Sequence, residues 1–276
     1  MNTGAKTARQ NATEAADRLY AEGRYQEALD VLTTPAGNLA EFYALKGDIL
    51  LALNRNEEAA GSFFTSATLD PSDRNGYANY RLGVCLHRVG RWPDACQAFF
   101  TVLELNPQNE DVRLALGACL LHMNRPEEAL AHFERCGKNT AQYRGLFGRG
   151  VALQMLKRYP EAQAAYERLL ALSPKFEEAL ANLIAMYQEL NQLDKVRHYA
   201  SRLFEISPDS TTALQGLAAV ALERNEYEAA FRYCSRIVEQ SPDCVEAWQN
   251  LRFASGRVMS TLRMSAAAGS STQGRT

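Results

Sequence analysis

Cys119 and His122 are the residues in this chain that stand closest to a metal-ligand spacing, three apart on one predicted helix. Zinc usually takes three or four protein ligands, and only these two lie together. They read instead as a core thiol beside a groove imidazole. The run Gly145-Leu-Phe-Gly148-Arg-Gly150 has the look of a phosphate-cradling loop, but its glycine spacing is the reverse of G-x-G-x-x-G and no strand precedes it. It falls inside a predicted helix, where each glycine costs about 1 kcal/mol relative to alanine. Gly145 and Gly148 therefore need a reason: close packing, or a groove deepened for a ligand. The acidic pairs Glu57-Glu58, Glu127-Glu128 and Glu177-Glu178 each open a predicted helix, where the macrodipole favours negative charge. No serine–histidine–acid set and no paired-carboxylate spacing emerges. These residues predict a protein that is not an enzyme and carries no cofactor or metal.

The six cysteines, Cys85, Cys96, Cys119, Cys136, Cys234 and Cys244, are irregularly spaced. They read as small core residues in a reducing, cytoplasmic compartment rather than a disulfide framework. A net charge of −2 and a pI near 6.1 give no nucleic-acid footprint. No stretch reaches the length of a membrane span, and the polar start, Met1-Asn2-Thr3-Gly4, lacks a signal-peptide core.

The elements that carry these residues recur. Pro174, Pro208 and Pro242 are 34 apart, and Pro71 and Pro107 are 36 apart. Twelve residues before each proline stands Ala59, Ala95, Ala162, Val196 or Ala230, and twelve before that Gly47, Gly83, Gly150, Ile184 or Ala218. A period of this length identifies a solenoid whose units touch only their neighbours. Within a unit, apolar residues recur at helical spacing in two runs. Gly90 sits where a helix C-terminal glycine belongs, and Pro93, Pro126 and Pro160 sit just inside the second helix. Gly83 and Ala95 are expected on facing sides, letting the two backbones approach.

This pattern resembles the tetratricopeptide repeat family. The fifth unit matches its motif with Leu146, Gly150, Leu153, Tyr159, Ala162, Tyr166 and Pro174, and the seventh with Leu214, Leu217, Ala218, Ala221, Ala230 and Pro242. Units begin near residues 9, 40, 76, 110, 143, 177 and 211, and a solitary helix begins near 245 with Trp248 and Leu251. The resemblance implies an all-α, right-handed α-solenoid of about seven helix-turn-helix repeats with a C-terminal capping helix. The organisation read from the chain is a flexible start at 1–8, repeats over 9–137, repeats and capping helix over 138–256, and a flexible tail at 257–276. The first unit loses its last turn at Thr34-Pro35-Ala36-Gly37. The fourth breaks off at Cys136-Gly137-Lys138-Asn139-Thr140 without a closing proline, which places a joint at 137–140. Ile184 and Val196 enlarge two small positions of the sixth unit, which predicts a slightly splayed helix pair.

The resemblance also implies a function: a scaffold or adaptor that binds a protein or peptide partner in the concave groove lined by the first helix of each unit. The inward positions of that helix give Tyr77, Tyr80, Arg81, Val84, His87 and Arg88 in the third unit, Leu114 and His122 in the fourth, and Arg144, Phe147 and Val151 in the fifth. Tyr80, Leu114 and Phe147 share the fifth position and are expected to form a stripe, with the arginines suited to an acidic or C-terminal group. A carboxylate-clamp chaperone receptor wants Lys and Asn at the fifth and ninth positions of one helix, and no unit has that pair. An array that recruits substrate for a separate enzyme would show an asparagine ladder at the sixth position, where only Asn182 and Asn250 stand. Self-association through the last helix is the remaining option, since Phe253, Val258, Met259 and Leu262 leave apolar surface that a cap normally lacks.

Overall fold

The computed structural model describes the backbone of residues 3–32, 38–71, 76–136 and 139–273, and within those helices leaves the side chains of 3–11, 139–141, 262 and 264–273 undescribed. Among the described residues there are fifteen helices and no strand. The break anticipated at residues 34–37 lies outside the described residues, as do residues 137 and 138 of the 137–140 joint, whereas Asn139 opens the ninth helix.

The chain divides into two units, Met1–Leu156 and Lys157–Thr276. The first holds α1 (Thr3–Ala21), α2 (Tyr25–Val31), α3 (Leu39–Ala52), α4 (Asn56–Leu69), α5 (Tyr77–Arg88), α6 (Trp92–Leu105), α7 (Glu110–His122), α8 (Pro126–Phe133) and α9 (Asn139–Met155). The second holds α10 (Tyr159–Leu172), α11 (Glu177–Glu189), α12 (Leu193–Ile206), α13 (Thr211–Glu223), α14 (Tyr227–Gln240) and α15 (Val245–Gln273). The division falls after Leu156, later than the 137–140 joint read from the sequence. The first helix begins at Thr3, inside the stretch expected to be flexible. The last runs helical to Gln273, through the stretch expected as a tail; its alanine, leucine, methionine and arginine content suits a helix.

Every turn inside a repeat is built the same way. Its fifteenth position takes a left-handed conformation in Gly23, Asn54, Gly90, Asn124, Lys157, Asn191 and Asn225. In six of these turns the next residue's N–H reaches back five residues to close the helix, as in Arg91 to Leu86 and Arg125 to Leu120, both 2.9 Å. Glycine adopts this conformation without a Cβ penalty and asparagine tolerates it. Lys157, at φ 58°, has neither advantage. Lys157→Gly is expected to stabilise the protein by about 1 kcal/mol, raising the thermal midpoint by roughly 2–4 °C. A melt showing no rise, or a fall, would mean that the lysine side chain makes a compensating contact.

The residue after this turn is arginine in five successive repeats, and it bonds an acid three residues on. The pairs are Arg24–Glu27 at 2.6 Å, Arg55–Glu58 at 2.7 Å, Arg91–Asp94 at 2.7 Å, Arg125–Glu128 at 2.5 Å and Arg158–Glu161 at 2.7 Å. The arginine hydrogen bonds hold the Glu27 and Glu58 carboxyls below the usual carboxylate range. Glu58 and Glu128 thus do more than face a helix dipole. The pairs are exposed and add little to stability individually.

The core rests on a glycine against a ring. A Cβ placed on Gly47 would lie 2.7 Å from the Phe63 ring, and one on Gly83 would lie 2.6 Å from Phe99. The ring comes sixteen residues after its glycine, on the facing helix, while Ala59, Ala95 and Ala129 are fully buried beside it. The closest approach to Gly83 is therefore the Phe99 ring rather than Ala95. In the second unit Ile184 and Val196 are fully buried. Their extra volume meets Gly216 of α13, whose hypothetical Cβ would lie 3.2 Å from Ile184 and 3.5 Å from Val196. A glycine in the next repeat receives what the sixth repeat adds.

Candidate functional site

All the groove residues expected from the sequence belong to the first unit, on α5, α7 and α9. These helices pack in succession, α5 against α7 and α7 against α9. Their side chains divide into three groups.

Tyr77 and Arg81 are engaged within the chain. The Tyr77 hydroxyl donates to Asp48 Oδ2 at 2.6 Å, and Arg81 donates to Asp48 Oδ1 through Nε at 2.8 Å and also through Nη2. The ion pair is partly buried, with the Arg81 and Asp48 side chains 25% and 12% exposed. Burial and the bond to Asp48 both push the Tyr77 hydroxyl pKa up. Burial opposes the charge on Arg81, but the Asp48 hydrogen bond and charge more than offset it and leave its pKa raised. Asp48 stands 33 residues before Arg81, on the first helix of the preceding repeat. The cluster ties α3 to α5 and neutralises one of the arginines expected to meet a partner.

Leu114 is 3% exposed. It lies in the core beneath the expected stripe, so the stripe is interrupted at its centre. The reason lies on α9. A Cβ on Gly148 would sit 2.4 Å from the Phe133 ring, and one on Gly145 would sit 3.0 Å from Cys136 Cβ. Both extra glycines serve close packing against the end of α8 rather than a deeper groove, and α9 packs directly on α7.

The remaining residues keep surface. Tyr80 is half-buried with its ring 6.2 Å from Phe99. Val84, Phe147 and Val151 are half-buried. His87 and His122 meet across the α5–α7 seam at 5.5 Å, and Trp92 stacks on His122 at 4.8 Å. Burial, then the neighbouring His122, hold His87 below the usual histidine range. Arg88 is exposed with no ion-pair partner among the described residues. Arg144 stands 3.7 Å from Asp111, both well exposed, a separation that binds neither firmly.

Burial disfavours the thiolate at the five buried cysteines. Burial raises Cys85 to about 11, Cys119 to about 12, and Cys136 and Cys234 to about 11. All six cysteines are unpaired. Among the described residues no group of three or more His, Cys, Asp or Glu side chains converges as a metal site would, and no helix is long and apolar enough to cross a membrane.

A second concavity was not legible in the repeat pattern. A groove of about 680 Å³ is lined by Ala60, Gly61 and Phe64 of α4, Leu82 and Leu86 of α5, and Ala98 of α6. Phe64 is 61% exposed. Phe63 and Phe64 look alike in sequence, yet one fills the core and its neighbour stands outside.

Helix pairs turning at a fixed left-handed position, with glycine against ring in the second, third and fourth repeats, define the class of protein. Tetratricopeptide repeat profiles match residues 13–74, 45–110, 86–146 and 143–176, and the chain belongs to the tetratricopeptide repeat family. It is similar to DnaJ homolog subfamily C member 7 of Mus musculus, 27% identical over 192 residues, covering 64% of this chain and 38% of that protein. The Schizosaccharomyces pombe homolog is 25% identical over 187 residues, 62% of this chain and 39% of that protein. The chain thus spans about two fifths of the length of these relatives. Among solved structures it is similar to the C-terminal part of a repeat-containing protein from Cytophaga hutchinsonii, with TM-score 0.70, 16% identity, and coverage of 87% of this chain and 99% of that one. A tetratricopeptide repeat protein from Parabacteroides merdae gives TM-score 0.65, 14% identity, and coverage of 90% and 99%. At such identities the likeness is one of fold.

Proposed function

We propose that the chain is a non-catalytic scaffold that holds a protein or peptide partner on the first helices α5, α7 and α9. The carrying observation is the contact of His87 with His122, which brings the twelfth position of one repeat against the thirteenth of the next, side by side on the first helices. Tyr80, Phe147, Val84 and Val151 supply half-buried apolar surface on those helices. Arg88 and Arg144 supply its positive charge, since Arg81 is held by Asp48. A segment with an apolar anchor and an acidic or C-terminal carboxylate group suits this arrangement, aromatics and arginines being the residues that carry most interface energy. The unpaired cysteines, five of them buried, support a reducing, cytoplasmic setting.

The test is a partner isolated by affinity capture and titrated against purified variants. Tyr80→Ala and Phe147→Ala are each expected to cost about 2 kcal/mol or more of binding, roughly thirtyfold in Kd. Glu223→Ala, in the second unit, is expected to bind as wild type does. Circular dichroism checks that Tyr80→Ala keeps its fold, because Tyr80 touches Phe99. Wild-type affinity in both folded aromatic variants would sink this reading. The α4–α6 groove is then the second reading, favoured by the exposure of Phe64, and Phe64→Asp tests it.

A further inference from the structure

The last helix is built unlike the first helix of any other repeat. α11 and α13 are 13 residues long and turn at their fifteenth position, whereas α15 is 29 residues long and passes straight through that position at Met259. The eighth position holds Gly47, Gly83, Gly117, Gly150, Ile184 or Ala218 in the repeats from the second onward. In α15 it holds Arg252. Arg252 is exposed, whereas the small or aliphatic residues at that position elsewhere pack on a second helix, so this side of α15 is open. Val245, Trp248, Phe253 and Met259 are 67%, 50%, 48% and 54% exposed on it.

We infer that this face pairs antiparallel with α15 of a second copy of this chain. Charge is the first reason. Glu246 is the sole acid of α15, and Arg252, Arg257 and Arg263 all follow it. Glu246, Phe253 and Arg257 are spaced seven and eleven residues along the helix, which returns each to the same side. A stripe with its acid at one end and its base at the other is complementary to itself when reversed. The Arg257 guanidinium is already set in place, 5.2 Å from the Phe253 ring and 5.8 Å from Tyr227.

Spacing is the second reason. With the two-fold axis level with residues 252–253, a rise of about 1.5 Å per residue puts Glu246 within about 3 Å, along the axis, of Arg257 of the second copy. The same alignment sets Trp248 within about 3 Å of that copy's Met259, a favourable sulfur–aromatic neighbour. Shape is the third. A depression of about 500 Å³ is lined by Gln249, Arg252, Phe253, Gly256, Arg257 and Ser260. A Cβ on Gly256 would meet nothing within 4 Å. The depression faces the level at which the second Phe253 ring arrives.

Sedimentation velocity on the full chain, from about 5 to about 500 µM, tests this. The expected result is a concentration-dependent rise from the 30.7 kDa monomer towards twice that mass, weakened by salt, with a parallel blue shift of Trp248 emission. Glu246→Arg and Arg257→Glu are each expected to raise the dimer Kd about tenfold or more, and the two together to restore it to within about threefold of wild type. Trp248→Ala is expected to weaken it similarly. Circular dichroism confirms helicity, and the wild-type emission shift needs no variant to fold. A chain that stays monomeric throughout overturns the inference. So does a dimer that none of these substitutions weakens, or a charge swap that does not restore pairing. Flotation of a monomeric chain on phosphatidylserine vesicles through Arg252, Arg257 and Arg263 would assign the face to an anionic membrane instead.

Discussion

Gly148→Ala is expected to destabilise the first unit by about 2–3 kcal/mol, and Gly148→Leu to prevent its folding. The reason is the position of one ring. Phe133 closes α8 and is almost fully buried. A Cβ on Gly148 of α9 would lie 2.4 Å from it, and a Cβ on Gly117 of α7 would lie 2.7 Å from it. The ring is held between two helices and has glycine on both. A methyl group on either side pushes it towards the other, where there is no space, so relaxation must come from helix displacement. Gly61→Ala is the control. A Cβ there meets nothing within 4 Å, and alanine in an exposed helix position is expected to gain about 0.5–1 kcal/mol. Urea denaturation followed by circular dichroism reads both. Phe133→Leu combined with Gly148→Ala should cost less than the two changes added, by about 0.5–3 kcal/mol of coupling. A Gly148→Ala midpoint equal to wild type, or strict additivity with Phe133→Leu, would show that the ring is not trapped.

The same contact marks where sequence reading succeeds. The repeat register was legible because it depends on single residue types at fixed places. A small residue is needed at the eighth position, a left-handed turn at the fifteenth, alanine at the twentieth and a ring at the twenty-fourth. Most repeats meet these demands, and the sixth and seventh, with Ala200 and Cys234 where the ring belongs, still keep the left-handed turn and the period, so spacing reveals the register. Close packing was one of two roles open for Gly148, but its partner was not legible, because that is a ring fifteen residues earlier on a helix that stops short at Phe133. Leu114 shows the same limit. Its position faces a groove in the family pattern, but the approach of α9 to α7 buries it. Gly216 answers the bulk of Ile184 and Val196 from a neighbouring repeat, a compensation visible only when all three side chains are placed. Slots predict which face a residue occupies; helix-to-helix distance decides whether that face is open.

Asp48→Ala is expected to cost about 2–3 kcal/mol, the largest loss from any single polar change in the first unit. Asp48 accepts from the Tyr77 hydroxyl and from two nitrogens of Arg81. Removing it leaves a phenol and a guanidinium with no acceptor in a partly buried place. Breaking a fully buried ion pair by deleting one partner costs about 3–5 kcal/mol. The quarter of the Arg81 side chain that remains exposed lets water recover part of that. Asp48→Asn separates the contributions, since it keeps the shape and an oxygen for Tyr77 but removes the charge facing Arg81. Arg81→Ala should be costly for the mirrored reason, leaving a buried carboxylate unpaired. The double variant Asp48→Ala/Arg81→Ala should be less destabilised than the sum, because neither ion is then stranded. Thermal and urea midpoints of the four proteins decide it. The pair also bears on binding, because Arg81 cannot both hold Asp48 and meet an acidic partner. Arg81→Ala is therefore expected to lower stability while leaving the affinity of a folded protein for its partner nearly unchanged, whereas Arg88→Ala should lower affinity without lowering stability. A folded Arg81→Ala protein that loses its partner would return Arg81 to the groove and make Asp48 its modulator rather than its fixed counterion.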